Sequence, residues 1–177
     1  MPASKLVRPD TLYKDSYLEA LREYHREGRF TYLDIAGLRH DFESYIETLR
    51  QDRGRPHQPC QDWVELVPET VLWLVKDRDY IGSIDIRHRI NWHLEKWGGH
   101  IHFVIRPGMR GKGYGRKILQ KAIPFANYFG IDQALLTVDP GNKPAIRVIE
   151  HCGGVFGDTT RATERFPARL RYWLDCS

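Results

Sequence analysis

The chain reads as a mixed α/β layer fold, and three observations lead there. The first fifty residues are dominated by apolar side chains at helical spacing. Residues 71 to 105 run or alternate in the manner of strands, broken by short polar turns. The remainder then switches between the two patterns as helix, strand, helix, strand, strand. A length of 177 residues suits one domain over 1–177. A chain of this size buries roughly 70% of its unfolded surface, so it needs no disulfide or metal staple.

From Asp10 to Glu27, Tyr13, Tyr17, Leu21 and Tyr24 fall on one helical face, and Gly28 supplies the stop. A second helix starts at Asp41, whose carboxylate suits an N-cap, and carries Phe42, Tyr45, Ile46 and Leu49 inward. Residues 51 to 62, rich in Gln, Pro, Gly and Asp, form the longest loop. Val71 to Val75 and Tyr80 to Arg87 flank the polar turn Lys76-Asp77-Arg78-Asp79, which predicts an antiparallel hairpin. A loop is expected from Asn91 to Gly98. The run Gly99 to Ile105 then alternates with period two and breaks at Arg106-Pro107-Gly108.

From Gly113 to Phe129 the pattern is helical through Ile118, Ala122, Phe125 and Phe129, with Pro124 predicting a kink or a short second piece. Ala134 to Val138 is a short apolar strand. Pro144 opens a helix that turns Ala145, Ile146, Val148 and Ile149 inward and stops at Gly153. Val155-Phe156 and Ala168 to Leu174 supply the last two strands.

Composition narrows the function classes. Hydrophobic residues at 41% and charged residues at 28% describe a globular chain, not a disordered one. No run of 18 apolar residues exists, and the start, Met1-Pro2-Ala3-Ser4-Lys5, lacks the apolar core of a signal peptide. Cys60, Cys152 and Cys176 are odd in number and widely spaced, which fits free thiols in a reducing cytoplasm. The net charge of +4 suits a phosphorylated small molecule, nucleic acid, an anionic membrane, or a soluble protein that is merely basic. Its placement is more telling. Arg106, Arg110, Lys112, Arg116, Lys117 and Lys121 surround the most glycine-rich stretch of the chain.

That stretch, Arg110-Gly111-Lys112-Gly113-Tyr114-Gly115, joins the end of a strand to the start of a helix. At such a junction several backbone N–H groups lack an intrahelical partner and point at any bound anion. Glycines permit close approach, and Arg110, Lys112 and Arg116 add charged donors. The result is a cradle for phosphate or pyrophosphate. A Walker A loop would place Lys then Ser or Thr after its last glycine, but Tyr114 follows Gly113. A dinucleotide fingerprint counted from Gly111 fails at Arg116.

The pattern that fits is Arg/Gln-x-x-Gly-x-Gly/Ala after a strand ending Ile105-Arg106-Pro107, and it resembles the acetyl-coenzyme A motif of the GNAT N-acetyltransferase superfamily. The resemblance continues at Asn142-Lys143-Pro144-Ala145-Ile146 and at Cys152-Gly153-Gly154-Val155-Phe156. More narrowly, Ile84-Asp85-Ile86-Arg87-His88 with Gly98-Gly99-His100-Ile101 resembles a group of bacterial predicted acetyltransferases. The resemblance implies a mainly antiparallel central sheet with helices on both faces, splayed at the fourth and fifth strands. It implies acetyl-CoA as co-substrate and direct attack by the amine of a small molecule or peptide. Phe103, Val104 and Ile105 would lie along the pantetheine arm, with Phe103 and Ile105 offering backbone groups. The amides of Arg110, Gly111, Lys112, Gly113, Tyr114 and Gly115 would hold the pyrophosphate, and Asn142 would help hold the arm.

An amine must lose its proton to attack, and a free alkylammonium titrates near pH ~10, so a base helps. His88, His93, His100 and His102 cluster before the cradle. Strand alternation places His100 and His102 on one face, opposite Ile101, Phe103 and Ile105. His100 stands where many relatives carry a glutamate thought to act as base. It is the first choice, His102 the second, and Asp85 or His88 the orienting partner. Each histidine taken singly is equally a hydrogen-bonded structural residue.

His-x-His with His88 or His93 is also a start on a zinc site, but no cysteine or acidic cluster completes it, and no metal is assigned. One departure stands out: the tyrosine that serves as general acid in the family is Ile149 here. Tyr172 is a substitute, or else a packed strand aromatic, and the acid stays unassigned. Trp63, Trp73, Trp92 and Trp97 line an acceptor pocket or simply pack. The early helices and the 51 to 62 loop are where acceptor choice would lie. A non-catalytic CoA-binding module of the same fold is the alternative. A nucleic-acid or membrane partner is not expected, given 27 basic against 23 acidic residues and no nucleic-acid-binding signature. A homodimer is compatible with the sequence.

Overall fold

The structure is a computed structural model and describes residues 3–54 and 65–177. Its strands are β1 (Lys5–Val7), β2 (Glu69–Lys76), β3 (Asp79–Arg87), β4 (Ile101–Ile105), β5 (Gln133–Val138), β6 (Val155–Thr160) and β7 (Arg169–Asp175). Its helices are α1 (Lys14–Arg26), α2 (Ile35–His40), α3 (Phe42–Arg50), α4 (Trp92–Trp97), α5 (Tyr114–Tyr128) and α6 (Lys143–His151). Four strands pair antiparallel in the order β1-β2-β3-β4, and three more in the order β5-β7-β6.

Strand β2 shows why helices cover both faces. It is apolar from Val71 to Val75 and buried at every position but the last, so neither face tolerates water. Leu72 and Leu74 join Ile84, Ile86 and Ile101 under α5 and α6, where Ile118, Leu119, Ala122 and Ile149 complete one core. Val71, Trp73 and Val75 face α1 and α3 and pack with Leu18, Leu21, Tyr24, Phe42 and Ile46. Tyr17 stacks on Trp73 with ring centroids 4.6 Å apart. Trp73 is therefore packing and not pocket lining.

The two sheets diverge between β4 and β5. What joins the strands is an isolated bridge from Gly99 to Leu136, reinforced by the His100 N–H donating to the Leu135 carbonyl at 2.7 Å. Gly99 has φ +69°, and a Cβ there would collide with the Leu135 carbonyl. Gly99→Ala combines left-handed strain with that collision, and a loss of about 3 kcal/mol in denaturant-derived stability is expected. A stability within ~0.5 kcal/mol of the parent would show that the junction relaxes freely.

Several elements differ from expectation. The short β1 pairs with β2, and three residues carry too little periodicity to be seen in sequence. Helix α2 was not expected; Asp34 caps it by accepting the Gly37 N–H at 3.1 Å. The expected loop from Asn91 to Gly98 contains α4, capped by Asn91, which accepts the Leu94 N–H at 3.0 Å. Helix α5 continues past Pro124 with neither break nor second piece. Pro124 and Gln120 are both exposed, so the ring clears the sheet and the carbonyl left without a donor faces water. Strand β4 starts at Ile101 and not at Gly99, because Gly99 turns the chain. Strand β6 extends beyond Phe156 to Thr160.

Candidate active site

The glycine-rich turn lies between β4 and α5. Pro107–Met109 form one 3₁₀ turn, and Gly113 caps α5 with φ +84°. The amides of Gly111, Lys112, Gly113, Tyr114 and Gly115 donate to no backbone carbonyl among the described residues. A Cβ on Gly111 or Gly113 would meet nothing within 4 Å, so the cup is open. Consecutive free amides at the positive end of a helix make an anion site.

Two of the expected contributions change. Gly115 lies against α6, where a Cβ would stand 3.0 Å from Val148 Cγ2, so this glycine serves the close approach of two helices. Arg110 turns away from the cup. Its guanidinium donates to both carboxylate oxygens of Glu27 at 2.6 and 3.0 Å and to the Ile105 carbonyl at 3.2 Å, and its amide bonds the Pro107 carbonyl at 3.3 Å.

Arg106 behaves likewise, pairing with Glu23 at 2.7 Å, while the Gly108 amide donates to the same carboxylate at 2.8 Å. Burial alone would raise the Glu23 carboxyl, but the bond from Arg106 and the Gly108 amide outweigh it and hold it below its ordinary value. The C-terminal half of α1 thus fastens the turn, and Lys112, Arg116 and Lys117 are exposed cations beside it.

A groove of about 220 Å³ runs through the gap between β4 and β5, lined by Phe103, His102, Thr137, Asn142, Ile149 and Arg169 among others. Register decides which backbone groups it sees. Arg87 N–H donates to the His100 carbonyl and Arg106 N–H to the Ile81 carbonyl, so the even-numbered residues of β4 bond β3. The backbones of Ile101, Phe103 and Ile105 therefore face the gap. Val104, expected beside them, turns its backbone to β3 and buries its side chain in the core under α1. Asn142 caps α6 through its carbonyl oxygen, which accepts the Ala145 N–H at 3.3 Å, and lines the groove.

Of the four residues expected at the chemistry, the structure brings two together. His102 and Asp85 are register partners on the face turned away from α5 and α6, with Nδ1 and Oδ2 3.7 Å apart. The Asp85 side chain is 15% exposed and that of His102 44%, so the carboxylate is sheltered and the imidazole opens to the groove. His88 is elsewhere: its Nε2 bonds the Thr70 hydroxyl at 2.8 Å and its ring stacks on Phe129 at 4.0 Å.

His100 is a clip between the sheets. Its Nδ1 accepts the Leu135 N–H at 2.9 Å. Burial, and then the Arg87 charge, push its pKa down to about 4. The free imidazole titrates near pH ~6.5, so the neutral ring's contribution to stability is complete above that value and is lost as pH falls toward 4. Burial lowers His88 and His93 in the same sense. Denaturant midpoints are expected to fall between pH 7 and 5, and less in His100→Gln; an equal fall in both proteins would show that the His100 clip does not carry the pH dependence.

Ile149 lines the groove and offers no proton. Tyr172 is buried, and its hydroxyl donates to Glu150 at 2.9 Å. Trp97 stacks on Phe166 at 4.4 Å and sits beside His93 and Trp92. Cys60, Trp63 and most of the 51 to 62 loop lie outside the described residues. Among the described residues no group of three His, Cys, Asp or Glu could hold a metal, and no helix is long and apolar enough to cross a membrane. Thr137, Arg169 and Arg29 line the groove without having been expected. They come from distant parts of the chain and belong to no motif.

Residues 20–155 match the family model of the acetyltransferase (GNAT) domain. No curated protein sequence is a match. The fold is similar to that of the microcin C7 self-immunity acetyltransferase MccE, solved with acetyl-CoA and AMP. That pair has a TM-score of 0.67 and 15% identity, covering 97% of this chain and 92% of that one. RimJ of Mycobacterium smegmatis, in complex with CoA-disulfide, gives 0.67 and 14%, covering 97% and 81%. A spermidine N-acetyltransferase chimera of Vibrio cholerae SpeG and hSSAT gives 0.61 and 15%, covering 98% and 95%.

Proposed function

This chain belongs to the GNAT acetyltransferase family, and on that premise we propose that it acetylates the amine of a small molecule or peptide, working as one domain in the cytoplasm. Acetyl-CoA is the donor the family uses, and it supplies an activated thioester carbonyl. The observation that carries the reading is the row of free amides from Gly111 to Gly115, at the mouth of a gap whose strand edges are themselves open.

The amides, with Lys112 and Arg116 beside them, suit the pyrophosphate. Phe103 and Asn142 suit the amide groups of the pantetheine arm. An arm that threads the gap from the α5 side ends on the face that carries His102 and Asp85. There His102 takes the proton of the attacking ammonium, and Asp85 steadies the imidazolium. The new carbon–nitrogen bond replaces the carbon–sulfur bond, and CoA leaves as the thiolate. His100 is unsuited to this role, since a group titrating near 4 is a weak base at neutral pH and its Nδ1 already holds the Leu135 amide.

Calorimetry with acetyl-CoA, followed by CoA-thiol release over a panel of amines, tests the proposal. Absence of saturable acetyl-CoA binding would sink it. Ile149 in the tyrosine position favours one other reading, a CoA-binding module without turnover; tight binding with no amine consumed would select it.

A further inference from the structure

The reacting end of the groove carries positive charge that neither the cradle nor the His102–Asp85 pair explains. Arg169 projects from β7 and Thr137 from β5, on the face turned away from α5 and α6. Arg169 Nη2 donates to the Thr137 carbonyl at 3.2 Å, at the edge of β5 that looks into the gap. Among the described residues its Nη1 has no hydrogen-bond partner, and its Nε and the Thr137 hydroxyl are buried without one. No described carboxylate lies within ion-pair distance of this guanidinium. Asp139, the groove's own carboxylate, stands beyond ion-pair distance and accepts the Gly141 N–H at 2.7 Å, and its charge offsets the burial of Arg169 only in part. Arg29 reaches the same groove from the end of α1 and makes no described ion pair, resting against the Phe30 ring at 5.5 Å.

A half-buried guanidinium with idle donors is poorly solvated, and burial lowers the pKa of Arg169 accordingly. A planar fork of N–H donors matches a carboxylate in both charge and shape. The pyrophosphate cannot be that anion, because its amides lie at the start of α5 on the other face. The pantetheine arm cannot be either, because it is uncharged.

Building on the acetyltransferase reading, we propose that Arg169, with Arg29, binds a carboxylate held beside the transferred acyl group. That anion belongs either to the acceptor, as in an amino acid or a peptide C-terminus, or to the far end of a dicarboxylic acyl chain. A polyamine acceptor has no use for two guanidinium groups.

The test measures CoA-thiol release with acetyl-CoA and matched pairs of amino acids and their decarboxylated amines, with spermidine alongside. A second arm uses succinyl-CoA with the carboxylate-free amines. Preference of tenfold or more in kcat/KM for amino acids places the anion on the acceptor; the same preference for succinyl-CoA places it on the donor. Arg169→Met and, in case that variant misfolds, Arg29→Ala should erase the preference through KM while sparing carboxylate-free substrates. Equal or better use of decarboxylated amines and spermidine with both donors would overturn the proposal and leave acetyl transfer standing. If no amine is acylated, the functional reading fails. Calorimetry then decides the carboxylate alone, by titrating N-acetyl amino acids and succinyl-CoA into the protein. Binding weakened tenfold in Arg169→Met supports it, and unchanged or undetectable binding overturns it.

Discussion

Gly113→Glu is expected to weaken acetyl-CoA binding at least 100-fold in a protein that still folds. Three effects act together. Gly113 sits at φ +84°, where a side chain costs about 1–2 kcal/mol. The new carboxylate would stand among amides that donate to nothing else and would occupy them itself. Its charge would also repel the pyrophosphate at close range, against the positive end of α5. A Cβ here meets no neighbour within 4 Å, so the fold has no steric reason to fail. Calorimetry on a variant with unchanged circular dichroism measures the effect, and Gly113→Ala, carrying only the backbone strain, should lose about tenfold. Parent-like affinity in the glutamate variant would remove the cradle from the cofactor site.

The second large effect is on turnover. His102→Gln should lower kcat by about 10²- to 10⁴-fold, the usual worth of a positioned base. Acetyl-CoA affinity should stay within about twofold, because the cradle lies on the opposite face of the sheet. Asp85→Asn should cost less and should move the acid limb of the kcat profile to lower pH, since an imidazolium deprived of a neighbouring carboxylate loses its proton more readily. Unchanged kcat in His102→Gln, or an unshifted limb in Asp85→Asn, would assign the proton to another group.

How much of this was legible before the fold was known depends on the range of the interaction. The cradle was legible because its glycines act locally: φ at Gly113 and the orphan amides of α5 are properties of a few consecutive residues. The two long helices and the central hairpin were legible because each buries a face long enough to show a period. Helices α2 and α4, six residues each, depend instead on a capping side chain and on neighbours far along the chain.

The histidines mark the limit of period counting. Alternation set His100 and His102 on one face, but Gly99 turns the chain just before β4, and His100 was drawn to the Leu135 amide across the gap. By charge alone Arg110 reads as a cofactor ligand, whereas its partner, Glu27, lies 83 residues earlier and leaves no mark nearby. Arg169 and Thr137 meet only because β7 inserts between β5 and β6.

The gap between the sheets has one further meaning. Two strand edges lie open there, and open edges invite foreign strands to add to them. Three side chains guard these edges group by group. Arg110 covers the Ile105 carbonyl, Arg169 the Thr137 carbonyl, and His100 the Leu135 amide. What stays uncovered is a short stretch around Phe103, too little for another β-strand to recruit. The same three contacts that shape the groove thus shorten the open edge with which a foreign strand could pair.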